Sequence, residues 1–196
     1  MHRNTLCSLG LLAVFSLTGC QSLPKSTIDL AQPAPSDTSA ETVQQFYLQG
    51  KIGVRTPQQS GSAFFTWQQQ AERYDIELSG ILGIGKTHIY GEMGQANLQS
   101  AKTGLIQAET PEELLIATTG WHAPIGHLID WVQARPATLD ADIQQDSLKR
   151  PTTILEDGWR VELSYIEQAT LPNRLILKQS LENGGENRIT MLIQNR

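Results

Sequence analysis

The stretch IELSGILGIGKTHIYG, residues 76–91, decides between two folds for this chain. Gly80, Gly85, Lys86 and Thr87 satisfy the pattern G-x-x-x-x-G-K-[ST], which forms the phosphate-binding loop of nucleotide hydrolases. That loop requires a helix directly after it, because the helix directs its free N–H groups at the anion. The residues that follow here, KTHIYGEM, are rich in β-branched and aromatic side chains and include a glycine, which favours a strand. We therefore disfavour nucleotide binding.

In the second interpretation the same stretch is a hairpin. Residues 76–79 and 87–90 are then neighbouring antiparallel strands, and the glycines between them form the turn. Ile81, Leu82 and Ile84 lie at the tip of this loop, with no polar residue among them. Such a loop either folds its apolar side chains back into the core or projects them outward as a membrane-targeting loop. The second alternative predicts a protein that contacts lipid.

From Phe46 onward, most of the sequence consists of short segments in which apolar and polar residues alternate. Residues 73–79, for example, place Tyr74, Ile76 and Leu78 on one face and charged side chains on the other. The pattern predicts an antiparallel meander with strands near residues 46–55, 62–69, 73–79, 86–93, 96–101, 105–108, 152–156, 159–166, 174–179 and 188–195.

Two helices are predicted within this series of strands. Thr110 and Glu113 supply an N-cap and a capping-box carboxylate for a helix over residues 111–118. A second helix, near residues 124–134, has apolar side chains at core-facing spacing. The polar residues 137–150 give no clear signal. We predict a mainly β, α+β domain in which two helices lie across a curled antiparallel sheet.

Residues 1–19 have the features of a secretory signal peptide. Arg3 provides a positive start, and the apolar run over residues 6–17 is too short for a membrane span, which needs about 20 residues. The run ends in Leu17-Thr18-Gly19-Cys20, which resembles the lipobox of bacterial lipoproteins. This resemblance implies that Cys20 is acylated, and that Gln21 after it directs the protein to the outer membrane. The alternative is a plain secretory signal followed by a chance cysteine.

The remaining chain divides into a tether and one domain. Residues 20–40 are rich in proline and serine, so we expect the acylated cysteine and a flexible tether there. Residues 41–196 have the length of one domain and contain no cysteine, which excludes a disulfide or thiol nucleophile within them. The net charge of −5, without a basic run, argues against nucleic acid as a partner. We expect a monomer.

No motif in the sequence indicates catalysis or a cofactor. His88, His122 and His127 lack a carboxylate or thiol at metal-ligand spacing, and we interpret them as surface or helix-cap residues. His127 and Asp130 are three apart in the second predicted helix, which is a common local pair. Signatures of hydrolases, zinc proteases and paired catalytic carboxylates are missing. We therefore predict that the protein is not an enzyme and has no metal and no cofactor.

Large apolar side chains are the remaining candidates for function. Phe65 and Trp67 lie in the predicted strand near residues 62–69, and Ile129 and Trp131 lie in the second predicted helix. These side chains either fill a core or line an apolar cavity between the sheet and the helices. A filled core would suit a structural envelope lipoprotein that binds other proteins through its surface. The sequence alone leaves both alternatives open.

Several segments, in order along the domain, resemble the LolB family of outer-membrane lipoprotein receptors. They are the lipobox with Gln21, the strand Phe64-Phe65-Thr66-Trp67-Gln68-Gln69, the hairpin Leu78-Ser79-Gly80-Ile81-Leu82-Gly83, the segment from Pro124 to Trp131-Val132, and Leu171-Pro172. The aromatic strand and the Leu-Gly hairpin are the most specific of these. The resemblance implies a half-open antiparallel β-barrel with a two-helix lid over an apolar cavity.

The resemblance also implies a function and partners. LolB proteins are lipid-anchored in the outer membrane, face the periplasm, accept acylated lipoproteins from the periplasmic carrier LolA and insert them into the outer-membrane bilayer. Leu82 matches the protruding loop leucine of the family, so Ile81, Leu82 and Ile84 are expected to contact the membrane. Trp67, Phe65, Ile129 and Trp131 are the candidates for the acyl-chain cavity.

Overall fold

Eleven strands form one antiparallel sheet in the computed structural model of the chain, which describes residues 45–80, 85–120 and 123–196. The strands are β1 Gln45–Arg55, β2 Ser60–Gln70, β3 Arg73–Ser79, β4 Thr87–Glu92, β5 Gln95–Ser100, β6 Gly104–Ala108, β7 Asp142–Gln145, β8 Pro151–Glu156, β9 Trp159–Ser164, β10 Arg174–Ser180 and β11 Glu186–Asn195. Their spatial order is β6-β5-β4-β3-β2-β1-β11-β10-β9-β8-β7. The outermost strands β6 and β7 do not pair with each other, so the sheet is a half-open barrel, as predicted.

The predicted strand pair forms within residues 76–91. β3 and β4 are antiparallel, with Tyr74 opposite Gly91 and Leu78 opposite Thr87. Thr87 therefore begins a strand, whereas a phosphate loop requires a helix at this point. Lys86 forms an ion pair with Glu77, with 2.6 Å between Nζ and Oε1. The hairpin interpretation is confirmed for the strands, while Ile81, Leu82 and Ile84 lie outside the described residues.

The first and last strands of the domain pair at the centre of the sheet. β1 is antiparallel to both β2 and β11, and all eleven residues of β1 have a partner in β2. Alternate side chains point inward, among them Leu48 of β1, Trp67 of β2 and Met191 of β11, all of which are buried. The two-residue period seen in the sequence thus separates an inner apolar face from an outer polar one.

Helix α1, Pro111–Thr119, has the caps that the sequence predicts. The Thr110 side chain accepts a hydrogen bond from the Glu113 amide at 3.2 Å, and the Glu113 carboxylate accepts one from the Glu109 amide at 3.0 Å. The helix ends at Gly120, whose φ of 71° is left-handed and favours glycine.

The second predicted helix is shorter than the sequence indicates. Only Leu128–Trp131, α2, is α-helical, and the residues before it form tight turns in which the His127 amide donates to the Pro124 carbonyl. Beyond it, Ala134 adopts a φ of 57°, which ends any helical continuation. Strand β7 was not predicted, because this short edge strand is polar and lacks an alternating pattern.

Two apolar clusters lie on the inner face. The larger joins β1, β2 and β8–β11 to the segment around α2, and it includes Trp131, Trp159 and Leu177. The smaller contains Ala96 and Leu98 of β5 and Leu114 of α1. One side of the half-barrel is therefore filled, and a cavity lies where the two clusters meet.

Candidate functional site

The cavity has a volume of about 1070 Å³ and lies between the inner face of β2–β5 and the two helical segments. The sheet contributes Trp67, Ile76, Ile89 and Leu98, and the helical wall contributes Leu114, Leu115, Ile125 and Ile129. This volume is at the upper end of the range of pockets that bind small molecules, which is about 300–1,000 Å³.

The strand register explains the apolar sheet wall. Trp67 lies opposite Ile76, Ile76 opposite Ile89, and Ile89 opposite Leu98, so one row of apolar side chains crosses four strands. Every member occupies an inward position of its own strand. A slip of one residue in any pairing would replace a member of the row with a polar side chain.

Trp67 contributes an apolar ring to the cavity while its polar atom is satisfied elsewhere. Its indole N–H donates to the Gln69 side-chain oxygen at 3.0 Å, and the Gln69 amide nitrogen donates to the Ala71 carbonyl at 2.6 Å. The Phe46 ring packs edge-on against the indole, with 5.0 Å between centroids. These contacts fix the ring position, as expected for a tryptophan that is buried at a binding site.

Glu112 joins the two parts of the helical wall. Its Oε1 accepts a hydrogen bond from the Gly126 amide at 2.6 Å, which connects α1 to the turn that precedes α2. Gly126 and Glu112 both border the cavity. The carboxylate therefore holds the two lid segments together at the cavity edge.

Tyr74 adds a polar atom to the cavity wall. Within the described residues its buried hydroxyl has no hydrogen-bond partner. Burial, followed by the nearby Glu112 carboxylate, raises the pKa of Tyr74 to about 12, so the phenol stays neutral at physiological pH. Gly91 lies opposite, and a Cβ there would come within 2.6 Å of the Tyr74 hydroxyl. The ring can thus occupy this position only beside a glycine.

The cavity rim is polar and mostly acidic. Glu72, Glu92, Glu109 and Asp130 border it, and Arg73 forms an ion pair with Glu92 at 3.1 Å. An apolar interior with a charged rim suits an amphipathic ligand, because the tail leaves water while the head remains solvated.

The predicted cavity residues divide into two pairs. Trp67 and Ile129 line the cavity. Phe65 and Trp131, like Trp67, belong to the larger apolar cluster, where they are 3% and 0% exposed, but neither of these two borders the cavity. Trp131 packs there because its indole N–H donates to the buried Glu156 carboxylate. Cys20, the predicted lipid site, lies outside the described residues.

Sequence reasoning missed most of the lining residues. Ile76, Ile89 and Leu98 were recognised only as members of alternating strands, and Leu114 only as part of a helix. Aligning β3, β4 and β5 by their central apolar residues would have brought Ile76, Ile89 and Leu98 into one row. The contribution of α1 depends on how the helix crosses the sheet, which no local pattern encodes.

The described histidines form local polar contacts. His88 Nε2 lies 3.0 Å from Asp75 Oδ2 on the outer face, and His127 Nδ1 lies 3.5 Å from Asp157 Oδ2. In the ranges that the structure describes, no three His, Cys, Asp or Glu side chains are grouped so as to hold a metal ion. Among the same residues, no helix has the length and apolar character needed to cross a membrane.

Together these features define a class: a half-open antiparallel barrel with an apolar, acid-rimmed cavity beneath short helices. The sequence model of the family described as "LolB: Outer membrane lipoprotein LolB" matches residues 44–195. The chain therefore belongs to the LolB family.

Two relatives that carry the family name agree with this assignment. A protein of Stutzerimonas stutzeri named "Outer-membrane lipoprotein LolB" is 35% identical over 192 residues, covering 91% of this chain and 89% of that protein. A protein of the same name from Pseudomonas aeruginosa is 39% identical over 158 residues, covering 76% and 72%. A solved LolA superfamily protein from Nitrosomonas europaea aligns with a TM-score of 0.47 at 12% identity, over 79% of this chain and 88% of that one.

Proposed function

We propose that this protein accepts acylated lipoproteins from the periplasmic carrier LolA and inserts them into the outer membrane. The observation that carries the proposal is the apolar cavity, whose sheet wall is the row from Trp67 to Leu98. Membership in the LolB family supports it. A structural lipoprotein would need no such cavity, and nothing in the described structure favours that alternative.

Transfer into the cavity needs no chemical step. Each methylene group that leaves water contributes about 0.8 kcal/mol, so small differences in lining between two cavities accumulate over several long acyl chains. The client would move to the protein whose cavity binds its acyl chains more tightly. The protein therefore acts without catalysis and without a cofactor.

The proposed anchor keeps the receptor at its membrane. Cleavage after residue 19 would leave Cys20 as the acylated N-terminus, and Gln21 would direct it to the outer membrane, with the domain facing the periplasm. More than one acyl chain gives lasting attachment, whereas a single chain binds only marginally. A flexible segment of the length of residues 20–40 would span on the order of 25 Å, which lets the domain move close to the bilayer.

The loop between β3 and β4 is the proposed contact with the bilayer. Support comes from the pairing of Leu78 with Thr87, which makes the intervening residues a hairpin connection. Lys86 is engaged with Glu77 on the outer face, which leaves apolar side chains as the distinctive feature of this loop. Ile81, Leu82 and Ile84 would enter the bilayer and favour release of the client.

A fluorescent fatty-acid analogue tests the cavity directly. The protein for this experiment is the chain from residue 20 with Cys20→Ala, which includes the whole compact unit Ala40–Arg196 and has no acyl chain of its own. We expect saturable binding. Ile129→Trp should weaken it at least tenfold, because the larger ring occupies the cavity.

Ile116→Trp is the matched control, since Ile116 is 45% exposed on α1 and does not border the cavity. It makes the same change of side chain outside the site. Absence of saturable binding by the parent protein, or equal loss in both variants, would contradict the proposal.

A further inference from the structure

A row of four basic residues crosses the outer face of the sheet. Arg55 of β1 lies opposite Arg188 of β11, Arg188 opposite Lys178 of β10, and Lys178 opposite Arg160 of β9. Each occupies an outward position of its strand. We call these four residues the basic row.

Direct opposition of like charges destabilises a sheet, so the basic row needs compensation. Lys178 has an ion pair with Glu162 at 2.7 Å, and Arg188 has one with Glu186 at 3.0 Å. Arg55 and Arg160 are exposed, and neither has an ion-pair partner among the residues that the structure describes. The row therefore keeps two cations free to meet an external anion.

The basic row is positively charged, whereas the chain as a whole has a net charge of −5. On the outward positions of β3 and β4 each carboxylate is paired with a basic side chain, Glu92 with Arg73, Glu77 with Lys86 and Asp75 with His88. The cavity rim is acidic. Positive charge is thus concentrated on the outer face of β1 and β9–β11. Such an asymmetry orients a protein at a charged surface.

Apolar side chains lie on the same face, four residues along the strands from the basic row. Phe64 of β2 lies opposite Lys51 of β1, and Lys51 opposite Leu192 of β11. Phe64 is 56% exposed, and the Lys51 ammonium lies 4.8 Å from its ring centroid. Exposed aromatic and aliphatic side chains among basic ones are typical of proteins that bind at the lipid–water interface.

The basic row lies at the end of the sheet away from the cavity mouth. Arg55 is the last residue of β1, whereas Gln45, its first residue, borders the cavity. This separation is on the order of 30 Å along the strand. β3 runs in the same direction as β1 and ends at Ser79, just before the loop proposed to contact the bilayer.

We propose that the basic row, with Phe64 and Leu192 further along the same face, binds anionic phospholipid head groups and holds the unloaded receptor on the membrane with its cavity mouth facing away. A lipid surface fits better than a protein partner because the row is linear, lies on a sheet face and combines free cations with apolar side chains. The mouth would then face the periplasm, where a carrier arrives. The inference deepens the proposed function by naming a lipid class and an orientation.

Vesicle co-sedimentation of the Cys20→Ala chain without client tests this inference. Vesicles of phosphatidylethanolamine with one quarter phosphatidylglycerol should bind the protein, and pure phosphatidylcholine should not. Arg160→Glu should lower the affinity about 25-fold, fivefold for each unit of charge. Its melting temperature should be unchanged or higher, because a carboxylate would then oppose Lys178.

Lys149→Glu is the matched control. It makes the same charge change at an exposed turn before β8, away from the basic row, and should keep vesicle affinity. An equal loss in both variants would overturn the inference, as would an unchanged affinity of Arg160→Glu. If Arg160→Glu binds vesicles normally but no longer takes up client from LolA, the basic row is a protein-docking surface, and the inference is overturned. Fatty-acid binding is measured separately, so failure of the proposed function can be distinguished from failure of this inference.

Discussion

At the scale of single residues, Glu156 connects the lid to the sheet. It lies on the inner face of β8, where it is 7% exposed. Its carboxylate accepts hydrogen bonds from the Trp131 indole, from the Ala137 amide at 3.1 Å, and from the amide and hydroxyl of Thr138, both at 2.8 Å. Burial acts to raise the pKa of Glu156, but these hydrogen bonds outweigh it and hold that pKa below its ordinary value.

The lowered pKa predicts a pH dependence of stability. Ionised Glu156 stabilises the fold above the ordinary pKa of a carboxyl group, and this contribution is lost as the pH falls through the lower folded-state pKa. Glu156→Gln should therefore reduce the free energy of unfolding by about 1–3 kcal/mol at neutral pH. The difference from the parent protein should shrink in acid. Urea unfolding across this range measures both effects.

An exposed carboxylate provides the comparison for this experiment. Glu182 lies in the exposed connection between β10 and β11. Glu182→Gln removes the same charge and should leave stability nearly unchanged at every pH. A pH-independent deficit in Glu156→Gln would show that the side chain acts through packing and not through its charge.

At the scale of elements, α1 forms one wall of the cavity and contacts the sheet through β5 and β6. Its one fully buried side chain is Leu114, in the smaller apolar cluster. A nine-residue helix is marginal on its own, so its stability depends on its caps and on that contact.

Thr110→Ala removes the N-cap of α1. We expect a loss of about 1 kcal/mol, because the Glu113 amide loses its hydrogen-bond acceptor. Amide hydrogen exchange should become faster within Pro111–Thr119 and stay slow in β1 and β11. Fatty-acid binding should weaken as this wall frays. Thr110→Asn restores a capping oxygen and should recover both properties, and failure to do so would exclude capping as the cause.

At the scale of the whole molecule, the half-barrel combines a filled side with a hollow one. The larger cluster packs β8–β11 against the segment around α2, while the smaller one leaves space next to α1. The filled side can stabilise the sheet even when the cavity is exposed to water. This division suits a protein that must stay folded before a client arrives.

Two substitutions separate the proposed membrane loop from the phosphate-loop pattern. Leu82→Glu should leave the fold and client uptake intact but block release, so that loaded receptor accumulates. The reason is that full burial of a leucine contributes roughly 1.5–3 kcal/mol, enough to shift a bound client toward the bilayer. Lys86→Ala should do little, because it removes only an exposed ion pair with Glu77.

A transfer assay from loaded LolA to vesicles measures both steps. Uptake is scored by the client that leaves LolA, and release by the client that reaches the vesicles. If Leu82→Glu left transfer unchanged and Lys86→Ala abolished it, the membrane-loop assignment would be wrong. Nucleotide binding would then have to be tested directly.

The sequence alone determined every described strand except β7, and also the first helix, because their signals are local. A two-residue alternation encodes a strand with one buried face, and Thr110 with Glu113 encodes a helix start. The hairpin in residues 76–91 followed in the same way, from residues unsuited to a helix. The prediction failed where local signals were weak. Strand β7 was missed because it is polar, and the second helix was predicted too long because the segment before α2 contains Pro124 and Gly126.

Only the tertiary structure decided where the chain is hollow. Phe65 and Trp67 are aromatic, occupy inward positions of one strand and give the same signal in the sequence. Both are buried in the larger apolar cluster, yet only Trp67 of the two borders the cavity. The difference depends on what lies across the sheet from each ring. That is set by strand register and by the position of α1, which join residues far apart in the chain. Burial is a property of those distant contacts, and no local period can encode it.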